Sequence, residues 1–307
     1  MKIGIPRAFL YYRYKELWET FFRELGIEFI LSPETQNDLV RAGSMHAIDE
    51  ACLSSKIYLG HVAWLLDKCD YLLIPRISRY GAGTVCSKYQ AIYDVVANTF
   101  RKRRARLLCY NFEPRTADGE MAAFIRLGKA LGRKNAESIL AYLAAKQAQK
   151  KAQREELEQQ ERLLSRDGMK ILVVAHRYNV CDKFIGEPIL NRLREMGALP
   201  IIADIAPKKE AVARASSLSE TLPWALSKEL VGSVAIYRRH VDGIILLSAF
   251  PCGPDSLVNE MLTRKIKDKP VLTLIMDGHQ GMAGIETRLE SFLDIIRFQE
   301  ARDYGCV

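Results

Sequence analysis

The sequence has no apolar run of membrane-spanning length. Its longest stretches, such as Gly243–Phe250, fall far short of the roughly 20 residues a bilayer requires. The start, MKIGIPRAFLYYRYKELWE, has no signal-type apolar core before charge resumes, so the expectation is a cytoplasmic protein with no membrane attachment. There is no GxxxxGK[ST] phosphate loop, and Gly81-Ala82-Gly83 is too short a glycine pattern to replace one. Work driven by ATP would therefore need a separate partner. Zinc-finger, RNP and helix-turn-helix patterns are absent, so nucleic acid is not expected. No CxxC pair occurs, and cysteine spacing alone designates no metal site.

What is present is a globular composition: 307 residues, 49% hydrophobic and 27% charged, enough for about two domains. Lys and Arg outnumber Asp and Glu by 45 to 37, a formal charge of +8. The excess gathers at Arg101–Arg106 and Lys146–Arg154. Solvated helix faces or loops account for it, and anionic small molecules or nucleic acid, the latter without a supporting motif, are the alternatives.

Short β-like runs alternate with helical stretches, the signature of parallel α/β units. Lys2–Ile5, Ile27–Leu31, Tyr71–Ile74 and Arg106–Tyr110 read as strands. Tyr14–Leu25, Lys56–Leu66 and Tyr89–Phe100 read as helices, the first closed by Gly26. The rhythm restarts at Lys170–Ala175 and continues through strands at Pro200–Ile205, Gly243–Ala249 and Pro270–Met276. Helices at Ile185–Met196, Ser219–Tyr237, Asp255–Lys265 and Ile285–Arg297 intervene. Between the halves, Glu120–Leu131 and Ala136–Leu164 have strong helix formers, and the second contains no Gly or Pro. The expected fold is α/β: two doubly wound, Rossmann-like domains with parallel sheets, 1–118 and 168–307, joined by a helical connector, 119–167. The long connector helix also offers a surface for a homodimer. Each half runs strand, loop, cysteine, helix (LLIPRISRYGAGTVCSKYQAIYDVV and IILLSAFPCGPDSLVNEML), so the halves read either as a duplication or as recurrent α/β grammar. In such sheets ligands sit beyond the carboxyl ends of the strands, where both cysteines fall.

Seven cysteines are many for a chain in a reducing compartment, where disulfides are not expected. Cys69 and Cys109 read as packing residues, Cys306 is penultimate, and Cys181 lies in a loop. Cys52, Cys86 and Cys252 each precede a helix, where backbone N–H groups favour the thiolate that binds metal. Two readings stand at this point: three thiolate ligands brought together by the fold, or three small buried hydrophobes.

The phrases MKIGIPRAFLYY, DEACLSSKIYLGH, YLLIPRI, ILVVAHRYNVCDKFIG, DGIILLSAFPCGPDSLVNE and GIETRLESFLDII together resemble the family described as acyl-CoA dehydratase activase-related. That family is related to the 2-hydroxyacyl-CoA dehydratase component and is sometimes fused behind an ATP-binding activator. One departure is Gly278-His279 after Asp277, where relatives often carry an acidic residue at the first position. The resemblance implies a low-potential iron–sulfur protein for anaerobic metabolism. It implies a [4Fe-4S] cluster in the cleft between domains, on Cys52, Cys86 and Cys252, with the fourth iron left for a small ligand. It implies electron transfer to a small-molecule substrate, an acyl-CoA, with an activator ATPase as electron donor. Three matching cysteines argue against the larger double-cubane cluster of another relative. The alternative is non-enzymatic: an Fe–S carrier, assembly factor or regulatory module that docks an activator ATPase.

Other residues carry a functional reading, a structural one, or both. Lys56, one turn beyond Cys52, and Lys88 either offset cluster charge or are solvated. Asp49 and Glu50 read as helix caps or as proton donors near the cleft, and Asp255 and Ser256 as helix caps. His176 ends a strand, as an acid, a ligand or a hydrogen-bonded core histidine. His279 lies in the glycine-rich loop DGHQGMAG. Arg288 and Glu290 read as an ion pair.

Overall fold

The computed structural model describes residues 1–77, 79–80, 83–102, 106–112, 119–278 and 282–303. The chain forms two compact units, Met1–Glu155 with Pro223–Leu226, and Glu156–Leu222 with Ser227–Val307.

The first unit opens with β1 (Lys2–Ile5), α1 (Tyr11–Glu24), β2 (Glu28–Leu31), α2 (Asn37–His46) and α3 (Leu53–Leu65). It continues with β3 (Tyr71–Ile77), a hairpin of β4 (Arg79–Tyr80) and β5 (Gly83–Thr84), α4 (Ser87–Thr99), β6 (Arg106–Phe112) and α5 (Glu120–Ala130). Its sheet is parallel throughout, in the order β2-β1-β3-β6. A parallel sheet is covered on both faces, which suits the buried apolar runs of β1 and β3. α1 buries Leu17, Trp18, Phe21 and Phe22, a contribution of roughly 2 kcal/mol for each large side chain. Gly26, at φ 62°, ends that helix in the left-handed conformation, its N–H bonded to the Arg23 carbonyl.

The sequence reading passed over α2. It lies so close to α3 that a Cβ on Gly43 would meet the Lys56 carbonyl oxygen at 1.7 Å. Its apolar face, with Leu39 and Val40 buried, lies against α3, and the close approach of the two helices requires that glycine. α6 (Asn135–Leu164) is one uninterrupted helix whose first two turns in three belong to the first unit. There Phe124 of α5 meets Phe21 at 4.7 Å, Tyr110 at 4.9 Å and Tyr142 of α6 at 5.2 Å between ring centroids. Gln149 accepts from the Leu17 N–H and donates to the Arg13 carbonyl, fixing α6 on α1.

The second unit contains the end of α6, β7 (Lys170–Val174), α7 (Arg177–Val180), α8 (Glu187–Glu195), β8 (Leu199–Ile202) and α9 (Lys208–Arg214). Most of α10 (Ala225–Tyr237), β9 (Gly243–Ala249), α11 (Gly253–Lys265), β10 (Val271–Met276) and α12 (Met282–Asp303) complete it. Its sheet is again wholly parallel, in the order β10-β9-β7-β8. In sequence order both sheets read second-first-third-fourth, a doubly wound arrangement repeated in the two units. Every residue of β9, GIILLSA, is buried, as a central strand requires.

Candidate functional site

In each sheet the winding reverses between the first and third strands, and the crevice for a ligand lies beyond their carboxyl ends. In the first unit those ends are the turn Pro6–Leu10 after β1 and the segment from β3 to α4. Phe9 occupies the turn at φ 49°, the only non-glycine residue at positive φ among the described residues. A left-handed conformation costs an L-residue roughly 1–2 kcal/mol, so surrounding structure must hold it. The Phe9 ring stacks on Tyr58 at 5.1 Å and meets Tyr89 at 4.7 Å. Tyr58 belongs to α3, which begins at Cys52, and Tyr89 is the third residue of α4, which begins at Cys86. One ring thus clasps the two helices that carry the first two candidate cysteines.

A buried polar network fixes the same turn. Ser32, at the end of β2, accepts from the Arg7 N–H at 2.7 Å and bonds His61 Nδ1 at 2.8 Å. His61 Nε2 bonds Thr35 at 3.0 Å. Burial, reinforced by the Arg7 charge, pushes the imidazole down to about 3. A depressed histidine is neutral in the fold and takes up a proton on unfolding once the pH drops below its ordinary value. The first unit should therefore lose stability as pH falls from about 6.5 toward 3, by roughly 2 kcal/mol at pH 5. Denaturant titrations at pH 7 and pH 5 check this. A His61→Gln variant whose stability falls as steeply over that interval would contradict it.

The three candidate cysteines share one local construction. Cys52, Cys86 and Cys252 each occupy the N-cap of an α-helix in extended backbone conformation. The Cys52 carbonyl accepts from Ser55 and Lys56 N–H, that of Cys86 from Tyr89 and Gln90, and that of Cys252 from Ser256. At the N-cap a side chain lies beside the free N–H groups of the first turn, which favour its anion. Cys52 Sγ also lies 3.2 Å from Ser55 Oγ. Cys52 is buried; Cys86 and Cys252 are half-buried. The segment before Cys86 is held by Gln90, which donates to the Val85 carbonyl, and by Thr84, which donates to the Pro223 carbonyl.

In the second unit the reversal lies between β7 and β9, and His176 and Asp255 meet there. His176 follows β7, and Asp255 is the third residue of α11 after Cys252, the same helical position that Tyr89 holds after Cys86. His176 Nε2 and Asp255 Oδ1 are 2.9 Å apart and both residues are buried. Burial lowers the imidazole's proton affinity. The charge of Asp255, with Asp204 and Glu229 behind it, outweighs burial and holds His176 above its ordinary value. Lys208 balances the two outer carboxylates, at 3.2 Å from Asp204 and 3.4 Å from Glu229. Because the folded value is raised, the pair stabilises the unit fully at acid pH. That contribution is lost as pH rises through the folded value. With Asp255→Asn, burial should dominate and bring the His176 titration midpoint, read by NMR, below that of the parent. An unchanged midpoint would show that Asp255 is not the controlling charge.

Several sequence expectations are corrected. Asp49 and Glu50 do not cap α3, since Cys52 itself is the cap residue. Asp255 binds His176, and Ser256 Oγ donates to the Cys252 carbonyl, so neither is a side-chain cap. Arg288 and Glu290 do not pair with each other: Arg288 donates to the Thr273 carbonyl and Glu290 accepts from Arg192. Lys56 reaches back to the Asp49 carbonyl. Cys109 is exposed instead of packed. Cys69 donates to the Leu65 carbonyl, and burial pushes its thiol up to about 11. Cys306, His279, Gly81 and Ala82 lie outside the described residues.

Cys52 and Cys86 belong to the first unit and Cys252 to the second. Among the described residues no three His, Cys, Asp or Glu side chains are gathered tightly enough to hold a metal ion. Cavities of about 680 Å³, beside Cys69 and Asp70, and about 620 Å³, beside Arg214 and Arg239, are not lined by the three cysteines. No described helix is long and apolar enough to cross a membrane. For an iron–sulfur cluster the donor chemistry fits: thiols outside any disulfide at helix N-termini, with a hydroxyl beside one sulfur. The sequence reading missed Phe9, Tyr58 and Tyr89. The repeated strand-loop-cysteine-helix phrase was the available signal for Tyr89, because the third residue after Cys86 and the third after Cys252 are the ones that reach the turn after the first strand of their sheet.

The family model described as "CoA enzyme activase uncharacterised domain" matches residues 2–205, a span that includes Cys52 and Cys86 and stops short of Cys252. No curated protein matches the chain. Among solved structures, the Streptococcus pneumoniae AdcAII protein is 12% identical over 97% of this chain and 98% of its own, with a TM-score of 0.30. The SBP FpvC from Pseudomonas aeruginosa, solved in complex with Mn2+, is 12% identical over 98% and 99%, also with a TM-score of 0.30.

Proposed function

The chain belongs to the family of the CoA enzyme activase uncharacterised domain, and from that membership we propose an iron–sulfur protein of the 2-hydroxyacyl-CoA dehydratase superfamily. Its role is low-potential electron transfer to a small substrate, an acyl-CoA, with an activator ATPase as electron donor. Cys52, Cys86 and Cys252 are the ligands of one [4Fe-4S] cluster. The observation that carries this reading is the triple repetition of one device, a cysteine in extended conformation at the N-cap position of an α-helix.

When bound, such a cluster supplies one electron at a time, at a potential set by thiolate ligation, exposure and hydrogen bonds to sulfur. The chain's own residues do the rest. The three sulfurs would approach the cluster from helix N-termini, and Ser55 contributes a hydroxyl at the Cys52 sulfur. The Phe9 clasp holds α3 and α4 in fixed relation, so the first two sulfurs keep their places as charge changes.

The test is turnover of acyl-CoA thioesters by the full chain under anaerobic conditions, with strong chemical reductant and with an activator ATPase plus ATP. Loss of a 2-hydroxyl from the acyl group, abolished in Cys86→Ala, supports the reading. A stable complex with the activator and no turnover of any acyl-CoA would make the protein a carrier or regulatory module instead.

A further inference from the structure

The two edges of the second unit's sheet are finished differently. At β8, Leu199 bonds toward β7, so Pro200 and Ile202 face outward. Pro200 has no N–H to offer, and Gln160 of α6 bonds both backbone groups of Ile202, at 2.8 and 3.0 Å. That edge is closed in the manner natural sheets use against unwanted pairing.

Among the described residues the β10 edge is open. The carbonyls of Pro270 and Met276 bond β9, so by the two-residue alternation the backbone groups of Val271, Thr273 and Ile275 face away from the sheet. No described strand pairs with them, and one carbonyl, that of Thr273, accepts from Arg288 at 2.5 Å. The strand VLTLIM is rich in β-formers, and Ile275 is 43% exposed. Arg288 and Ile295 stand two helical turns apart on one face of α12, with Phe298 beside them. Since Arg288 touches β10, this face flanks the edge, where Ile295 and Phe298 are 51% and 72% exposed.

We propose that the β10 edge is the interface of a homodimer, in which the β10 strands of two copies pair antiparallel about Thr273 to form one eight-stranded sheet. The occupant is a second copy because the edge is complementary to itself in one register. Centring on Thr273 sets Thr273 opposite Thr273 and Val271 opposite Ile275, and these are the residues with outward backbone groups, as a hydrogen-bonded antiparallel pair needs. The same register sets Lys269 opposite the second copy's Asp277 at both ends of the ladder. Lys269 makes no ion pair among the described residues. A two-fold axis through Thr273 generates both contacts from one sequence, the usual geometry of a dimer. In the pair, each Thr273 carbonyl accepts the other copy's Thr273 N–H in place of Arg288.

Sedimentation velocity on the full chain, from about 1 to 100 µM, tests this, with dissociation expected on the order of 10 µM for so narrow a contact. Ile275→Lys places two like charges in the interface and should weaken dimerisation roughly tenfold or more. Thr273→Pro removes an N–H that only the dimer uses, and should do the same with circular dichroism unchanged. Lys269→Glu should weaken the dimer, and adding Asp277→Lys should restore it. A chain that stays monomeric at 100 µM overturns the proposal, and so does a dimer indifferent to Ile275→Lys. Failure of the double charge reversal to restore what the single reversal lost overturns the register.

Discussion

Replacing Cys86 with alanine will strip the anaerobically purified protein of iron and acid-labile sulfide, from about four of each per chain to fewer than one. Cys52→Ala and Cys252→Ala will do the same. The expectation is all-or-none because a cubane left with two thiolates has lost a third of its protein anchors and exposes a second iron to water. Cys69→Ala and Cys109→Ala are the controls. One thiol is held protonated by burial and the other lies in a strand away from any helix N-terminus, so both variants should keep the full complement. Retention of full iron and sulfide by any of the first three would remove that residue from the ligand set.

Phe9→Ala will cost roughly 3–5 kcal/mol of stability, the range for deleting a buried aromatic ring. Phe9 is 4% exposed and stacks against two other rings. The informative comparison is with Phe9→Gly. Glycine is ordinarily the worse replacement, because the unfolded chain gains freedom. At φ 49° the order should invert: glycine accepts the left-handed conformation without penalty, so Phe9→Gly should be more stable than Phe9→Ala by about 1 kcal/mol. Urea titration of both variants reads this directly. If alanine is the more stable, the turn is not locked left-handed. Both variants should also lose bound iron faster to a chelator than the parent, since neither retains the ring that spans α3 and α4.

How much of this was legible in the sequence depended on the kind of signal. Strands such as Gly243–Ala249 announced themselves because a central parallel strand is buried on both faces and reads as a continuous apolar run. The uninterrupted helix at Asn135–Leu164 did so through composition. α2 was passed over because it is only ten residues long and buries just Leu39, Val40 and Gly43, with its fit on α3 depending on the absence of a side chain at Gly43. The three cysteines stood out through their place before helices. Their immediate neighbours were misjudged for one reason: Asp255 has the composition of a cap, but its partner, His176, lies 79 residues away. Arg288 and Glu290 were misassigned likewise, each finding a partner on another element. Local spacing carries local structure, and pairings across the sheet's reversal point come only from the fold.

The measurement that bears most directly on the account is the iron and acid-labile sulfide content of the full chain purified without oxygen, with its absorption spectrum. About four iron and four sulfide per chain are expected, in a coloured protein whose absorption falls on reduction. A colourless protein that takes up no iron on anaerobic reconstitution would contradict it and leave Cys52, Cys86 and Cys252 as structural helix caps.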